Sequence, residues 1–115
     1  MNQHRYTLEE LPKTFIGTGE VKGFSFTQIK QNEFAYIYQV NVEGKLHFEV
    51  FKKKSTPICI DFMNRIYSET GFREIYPKAK NFGINGWTYS TYQEAAIKFH
   101  KISNSIAGIT NDCIR

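Results

Sequence analysis

Along residues 34–54 apolar and polar positions alternate with period two: Phe34, Tyr36, Tyr38, Val40 and Val42, then Gly44, then Leu46, Phe48 and Val50, ending in Lys52, Lys53 and Lys54. Alternation on both sides of a glycine predicts a β-hairpin. A two-residue turn at Glu43-Gly44 would set Val42 against Lys45 and Val40 against His47, mixing apolar with polar residues on both faces. A three-residue connection with Gly44 at positive φ keeps even-numbered residues together and is the expected register. It places Phe34, Tyr36, Tyr38, Val40, Leu46, Phe48 and Val50 on a core face. Ala35, Ile37, Gln39, Asn41, Lys45, His47, Glu49, Phe51 and Lys53 then form a mixed, partly wet face.

The flanking segments are less regular. Residues 1–14 form a polar lead-in, expected as a short helix or an irregular arm, with Pro12 stopping any helix. Gly17, Gly19 and Gly23 among Phe24, Phe26 and β-branched residues suit bent strands, and a strand is predicted over about 21–29. The polar group 30–33 turns the chain, with Asn32 suited to a left-handed conformation. After Pro57, Ile58, Ile60 and Phe62 alternate as in a strand, whereas Phe62, Met63, Ile66 and Tyr67 recur at helical spacing with Gly71 as a stop. The helical pattern is preferred and predicts a short helix over about 61–68. Residues 72–86 are rich in Gly, Asn, Lys and Pro, which suits a long excursion with at most a short strand. Trp87-Thr88-Tyr89 is expected as a brief strand entering a helix.

That last helix is the best signalled. Thr91-Tyr92-Gln93-Glu94 has the capping-box spacing, in which threonine and glutamate satisfy free amides at a helix start. Tyr92, Ala95, Ala96, Phe99, Ile102 and Ile106 make an apolar stripe, with Gln93, Lys98, His100 and Lys101 largely off it and Gly108 as the stop. The expected fold class is therefore α+β: an antiparallel sheet, a three-strand meander plus a further strand, with a C-terminal helix packed on one face. One domain is expected over residues 1–115, the sheet and helix occupying about 20–106. This order resembles the ββββα unit of the PUR and PC4-like folds that bind single-stranded nucleic acids. Separately, Tyr76, Pro77, Lys78, Phe82, Gly83, Trp87, Thr88, Tyr89 and Ser90 resemble the C-terminal block of small uncharacterised proteins of bacterial genomes and mobile elements, a likeness that implies no chemistry.

A chain of 115 residues, 41% hydrophobic, can bury a core without a metal or disulfide. Cys59 and Cys113 have no CxxC spacing and no histidine pair nearby, so reduced thiols and no metal are expected. The polar start and the lack of a long apolar run predict a soluble, cytoplasmic protein with no membrane partner. Charge is uneven: net −1 over residues 1–44, +4 over 45–80 and +1 over 81–115. Lys45, Lys52, Lys53, Lys54, Arg65, Arg73, Lys78 and Lys80 make up the central excess and would form one positive field if brought together.

Candidate chemistry is sparse. His47 and Glu49 lie two apart and within hydrogen-bonding reach, but an ordinary exposed pair on a sheet surface is the favoured explanation. His100 reads as solvated and His4 as part of a mobile end. Asp61 has no evident partner, and Cys59 lacks an activating base. Gly17-Thr18-Gly19 and Gly83-Ile84-Asn85-Gly86 lack the spacing and following helix of a phosphate-binding loop. A non-enzymatic binding domain without cofactors is expected.

Single strands are held by a positive groove and by aromatic rings, each stacked base contributing about 1–3 kcal/mol. Lys52, Lys53, Lys54, Lys78 and Lys80 are the candidate phosphate contacts, and Phe51 and Trp87 the candidate stacking residues, for single-stranded DNA or RNA. Exchanging Lys52–Lys54 for glutamine is expected to weaken such binding and leave the fold intact. The plainer explanations are an edge guarded by lysines and a Trp87 that is simply core. The alternative is a protein-protein interaction module, or an inhibitor encoded by a mobile element, acting through an exposed aromatic patch or a sheet edge.

Overall fold

The computed structural model describes residues 6–114, with side chains as far as Asn104. In chain order its elements are β1 (Thr7–Glu9), β2 (Thr14–Ile16), β3 (Ser25–Gln31), β4 (Ala35–Val42), β5 (Lys45–Lys52), β6 (Ser55–Asp61), β7 (Ile66–Glu74), β8 (Gly86–Tyr89) and α1 (Tyr92–Ile114). They fall into two compact units, one made of the chain up to Leu11 with Lys53–Tyr76, the other of Pro12–Lys52 with the chain from Pro77.

The larger unit is built on a five-stranded sheet of order β2-β3-β4-β5-β8 in which every neighbouring pair is antiparallel. It contains the expected meander, β3 to β5, with β8 as the further strand, and α1 packs on one face; the fold is α+β. The hairpin register differs from expectation. Glu43 and Gly44 take φ of 53° and 89°, and Val42 pairs with Lys45, Tyr38 with Glu49 and Tyr36 with Phe51. This is the two-residue turn in which both central residues are left-handed, supported by the Asn41 side-chain oxygen accepting the Gly44 N–H at 2.8 Å. Parity failed as a guide because both faces of β4 and β5 are buried, so neither face has to be wholly apolar.

On the helix face, Ala35, Ile37 and Val50 meet Ala95, Phe99 and Ile102, with Phe34, Phe48, Trp87 and Tyr89 around them. Ala35 and Ile37, expected on the wet face, are thus core. Leu46, expected in the core, is 53% exposed near the hairpin end. On the opposite face Phe15 stacks on Phe26 with centroids 4.5 Å apart, and Tyr38 stacks on Phe51 at 5.7 Å. The Tyr38 hydroxyl donates to the Pro12 carbonyl at 2.6 Å, so the buried ring keeps its polar tip satisfied.

Local chemistry explains the boundaries. A Cβ at Gly17 would collide with the Val21 carbonyl, so the 17–24 segment folds as a tight loop and the strand expected over 21–29 begins instead at Ser25. Asn32 takes no left-handed conformation; its side-chain oxygen accepts the N–H groups of Phe34 (2.8 Å) and Ala35 (3.0 Å), and its amide donates to Ser103 on α1 at 2.6 Å. The threonine cap of the expected box is present: Thr91 Oγ1 accepts the Glu94 N–H at 3.3 Å, while the Glu94 carboxylate accepts from the Thr91 hydroxyl at 3.1 Å. The helix runs past Gly108 to Ile114; the Ile106 side chain, Cys113 Sγ and His4 lie outside the described side chains.

The smaller unit is a three-stranded sheet of order β1-β7-β6, with β1 parallel and β6 antiparallel to β7. The stretch over 1–14 expected as an arm or short helix supplies strand β1 to this sheet, and its last residue, Thr14, opens β2 of the larger one. The helix expected over 61–68 is replaced by the β6–β7 hairpin, and β7 extends into the supposed excursion as far as Glu74. The physical reason is that Phe62, Met63, Ile66 and Tyr67 are all exposed, so their helical spacing marks no buried stripe. The turn is set instead by Asp61, whose carboxylate accepts the Asn64 N–H at 3.2 Å and side-chain amide at 2.8 Å, while Arg65 takes φ 56° and donates its N–H to the Phe62 carbonyl. Among the described residues no helix is long and apolar enough to cross a membrane.

Candidate nucleic-acid interface

Trp87 is the residue around which cations gather. Its pairing with Val50 turns it to the helix face at the sheet edge, and Lys52, two residues beyond Val50, points to the same face. The Lys52 N–H donates to the Asn85 carbonyl at 2.8 Å, which fixes the backbone beside β8. Lys98, between Ala95 and the buried Phe99 on α1, borders the helix stripe. Its ammonium lies 4.0 Å from the centroid of the Trp87 ring, and that of Lys52 lies 5.9 Å from it, both within cation–π range. Among the described residues no carboxylate forms an ion pair with either lysine; Glu94, one turn before Lys98, is engaged by Thr91. Trp87 itself is half-buried.

The remaining candidates separate. Phe51 is fully buried, stacked on Tyr38 and tilted against Tyr36, so it has no exposed ring face to offer a base. Its assignment as a stacking residue is corrected, and the cause is the hairpin register, which moves it into the aromatic layer. Lys53 begins the smaller unit and lies 3.9 Å from Glu74, the two side chains being 17% and 4% exposed. Glu74 also accepts the Leu11 N–H at 3.2 Å. Lys53 thus answers a buried carboxylate, so exchanging it is expected to cost more stability than exchanging an exposed lysine. Lys54 is exposed, and its carbonyl receives the Ile75 N–H. Lys78 and Lys80 are exposed around the 3-10 turn Ala79–Asn81, where Glu20 accepts the Ala79 N–H at 3.0 Å and brings a negative charge between them.

Lys98 is the residue that sequence reasoning missed. Its only local signal was adjacency to Phe99 at the margin of the apolar stripe.

Charge follows the division into units. Over residues 6–114 the larger unit carries nine lysines against six acidic groups, five glutamates and Asp112, while the smaller carries four basic groups against five acidic. The central excess read along the chain is therefore shared between the units, and the net positive field belongs to the one that holds Trp87.

Other chemistry is accounted for locally. His47 Nε2 lies 3.2 Å from Glu49, which is buried on the aromatic face opposite Tyr38. Glu49 is thus not the exposed partner of a surface pair. Gly83 to Gly86 close on themselves, the Gly83 N–H donating to the Gly86 carbonyl at 2.6 Å. Burial first, and then the charge of Glu94, push the Tyr89 hydroxyl above its usual range. Among the described residues no three His, Cys, Asp or Glu side chains gather as a metal site. On the smaller unit, Phe62 and Met63 at the β6–β7 turn are 79% and 86% exposed.

No protein-family model, curated protein or solved structure matches the chain.

Proposed function

We propose that this chain is a small, non-enzymatic, cytoplasmic domain that binds single-stranded nucleic acid at the Trp87-bearing edge of its five-stranded sheet. One observation supports it above the others: a half-buried tryptophan with the ammonium groups of Lys52 and Lys98 over its ring, in the unit that carries the net positive charge. An aromatic face with cations beside it suits a planar base joined to phosphate, and repels a cationic ligand. Lys78 and Lys80, exposed in the same unit, add to the attraction.

Trp87 is the single tryptophan, so its fluorescence reports directly on this site. Mixed-sequence oligonucleotides are expected to change it saturably at low salt, with affinity falling steeply as salt rises. No saturable change, together with unaltered anisotropy of a labelled oligonucleotide, would remove nucleic acid as the ligand.

A second reading is favoured by the Phe62–Met63 turn, whose two apolar side chains are held outward by the Asp61–Asn64 contacts. Exposed apolar groups on a braced turn suit a protein partner, such as a host factor inhibited by a mobile-element product. Such binding changes little with salt.

A further inference from the structure

Resting on the nucleic-acid reading, we infer that Lys52 and Lys98 clamp two successive phosphates of a strand whose intervening base lies on Trp87, so that the site engages one nucleotide step. The two ring distances together put the ammonium groups no more than about 10 Å apart. Neighbouring phosphates of one strand rise about 3.4 Å along the axis of a stacked helix and lie farther apart through space, and the bound on the ammonium groups is compatible with such a neighbouring pair.

Both lysines start from anchored backbones. Lys52 is held by its bond to Asn85 and by its pairing with Ala35, and Lys98 sits among the buried residues Ala95, Phe99 and Ile102. Their stems are therefore placed and only their ends have to swing. Neither end gives up an ion pair in doing so, since the ring is what each ammonium faces in the free protein. A base arriving on Trp87 takes over the ring face that Lys98 covers at 4.0 Å, and the displaced ammonium meets the adjoining phosphate. The shared chemistry is an aromatic base with phosphate, which a free nucleotide also offers; a clamp on two phosphates favours the strand.

The test measures anisotropy of labelled single-stranded oligonucleotides against the full chain over a salt series, for the protein as it stands and for Lys52→Gln, Lys98→Gln and Lys101→Gln. Single strands contribute a slope of about −0.7 per phosphate contact. Lys52→Gln and Lys98→Gln are each expected to weaken binding about 3- to 10-fold and to flatten the slope by about 0.7. The exposed Lys101 should leave both unchanged, and all variants should melt cooperatively within about 8 °C of the parent. Thymidine dinucleotide carrying two phosphates should compete at least ten times better than thymidine monophosphate. Binding whose slope ignores Lys52 and Lys98, or equal competition by the monophosphate, overturns the clamp while leaving nucleic-acid binding in place. Absence of any binding by the parent protein at low salt removes both.

Discussion

Two phenylalanines, one in each unit, meet opposite fates. Phe51 lies in the middle of the larger sheet, stacked on Tyr38 with no exposed surface, whereas Phe62 stands on the β6–β7 turn, 79% exposed. The larger unit buries its rings on both sheet faces and presents lysines; the smaller is nearly charge-balanced and presents apolar side chains. For these two rings, exposure follows the layer or turn that holds them rather than the local sequence pattern. A basic unit and an apolar-tipped one are suited to different partners, which is why salt dependence separates the two functional readings.

The contrast breaks most directly by truncating both rings. Phe51→Ala should destabilise by about 3–5 kcal/mol, since it empties a packed aromatic layer. Phe62→Ala should stay within about 0.5 kcal/mol, since nothing packs against an exposed ring. Chemical denaturation of the two variants measures both, and a tolerant Phe51 would mean that the hairpin register described above is wrong.

The next largest effect compares adjacent lysines on either side of the boundary between units. Lys53→Gln removes the ammonium that lies 3.9 Å from the buried Glu74 carboxylate and should cost about 2 kcal/mol, below the loss for an ideal buried pair because of that long separation. Lys52→Gln faces only solvent and the Trp87 ring and should cost less than about 1 kcal/mol. Melting curves near neutral pH distinguish them; equal losses would show that Lys53 is as solvated as its neighbour.

What could be seen in the sequence was what local forces decide. The capping threonine, the stripe of α1 and the existence of the β4–β5 hairpin depend on residues a few positions apart, and all are present. The hairpin register depends on whether its second face is covered, a tertiary fact, and misjudging it moved Phe51 from the core to the candidate surface. Residues 57–76 were misjudged for the converse reason: exposed apolar side chains at helical spacing look like a buried stripe until their exposure is known. Of the site, Trp87 and Lys52 were recognisable as residue types on a strand beside a basic run. Lys98 was not, because only the packing of α1 across the sheet carries it to the ring.

A smaller effect tests the register without touching the core. Glu43 sits at φ 53°, where a side chain with a Cβ is strained and where this turn favours asparagine. Glu43→Asn should therefore stabilise the larger unit by about 0.5–1 kcal/mol. In a three-residue connection with Gly44 alone left-handed, the same exchange would give no gain.

The smallest effect belongs to the turn of the other unit and is read by pH. The Asn64 side-chain amide, and after it the Asn64 backbone N–H, hold the Asp61 carboxyl below its ordinary value. A group whose folded pKa is lowered supports the folded turn above its unfolded value, and that support fades as pH falls through the folded one. The amide resonances of Phe62 to Arg65 should therefore shift on acidification with a midpoint below the usual aspartate range. Asn64→Ala should return that midpoint towards the ordinary value, because both the amide group and the geometry it imposes are weakened. Were the parent midpoint already ordinary, the turn would not be braced, Phe62 and Met63 would not be held outward, and the case for a partner at that end of the smaller unit would fall while the lysines of the larger one kept theirs.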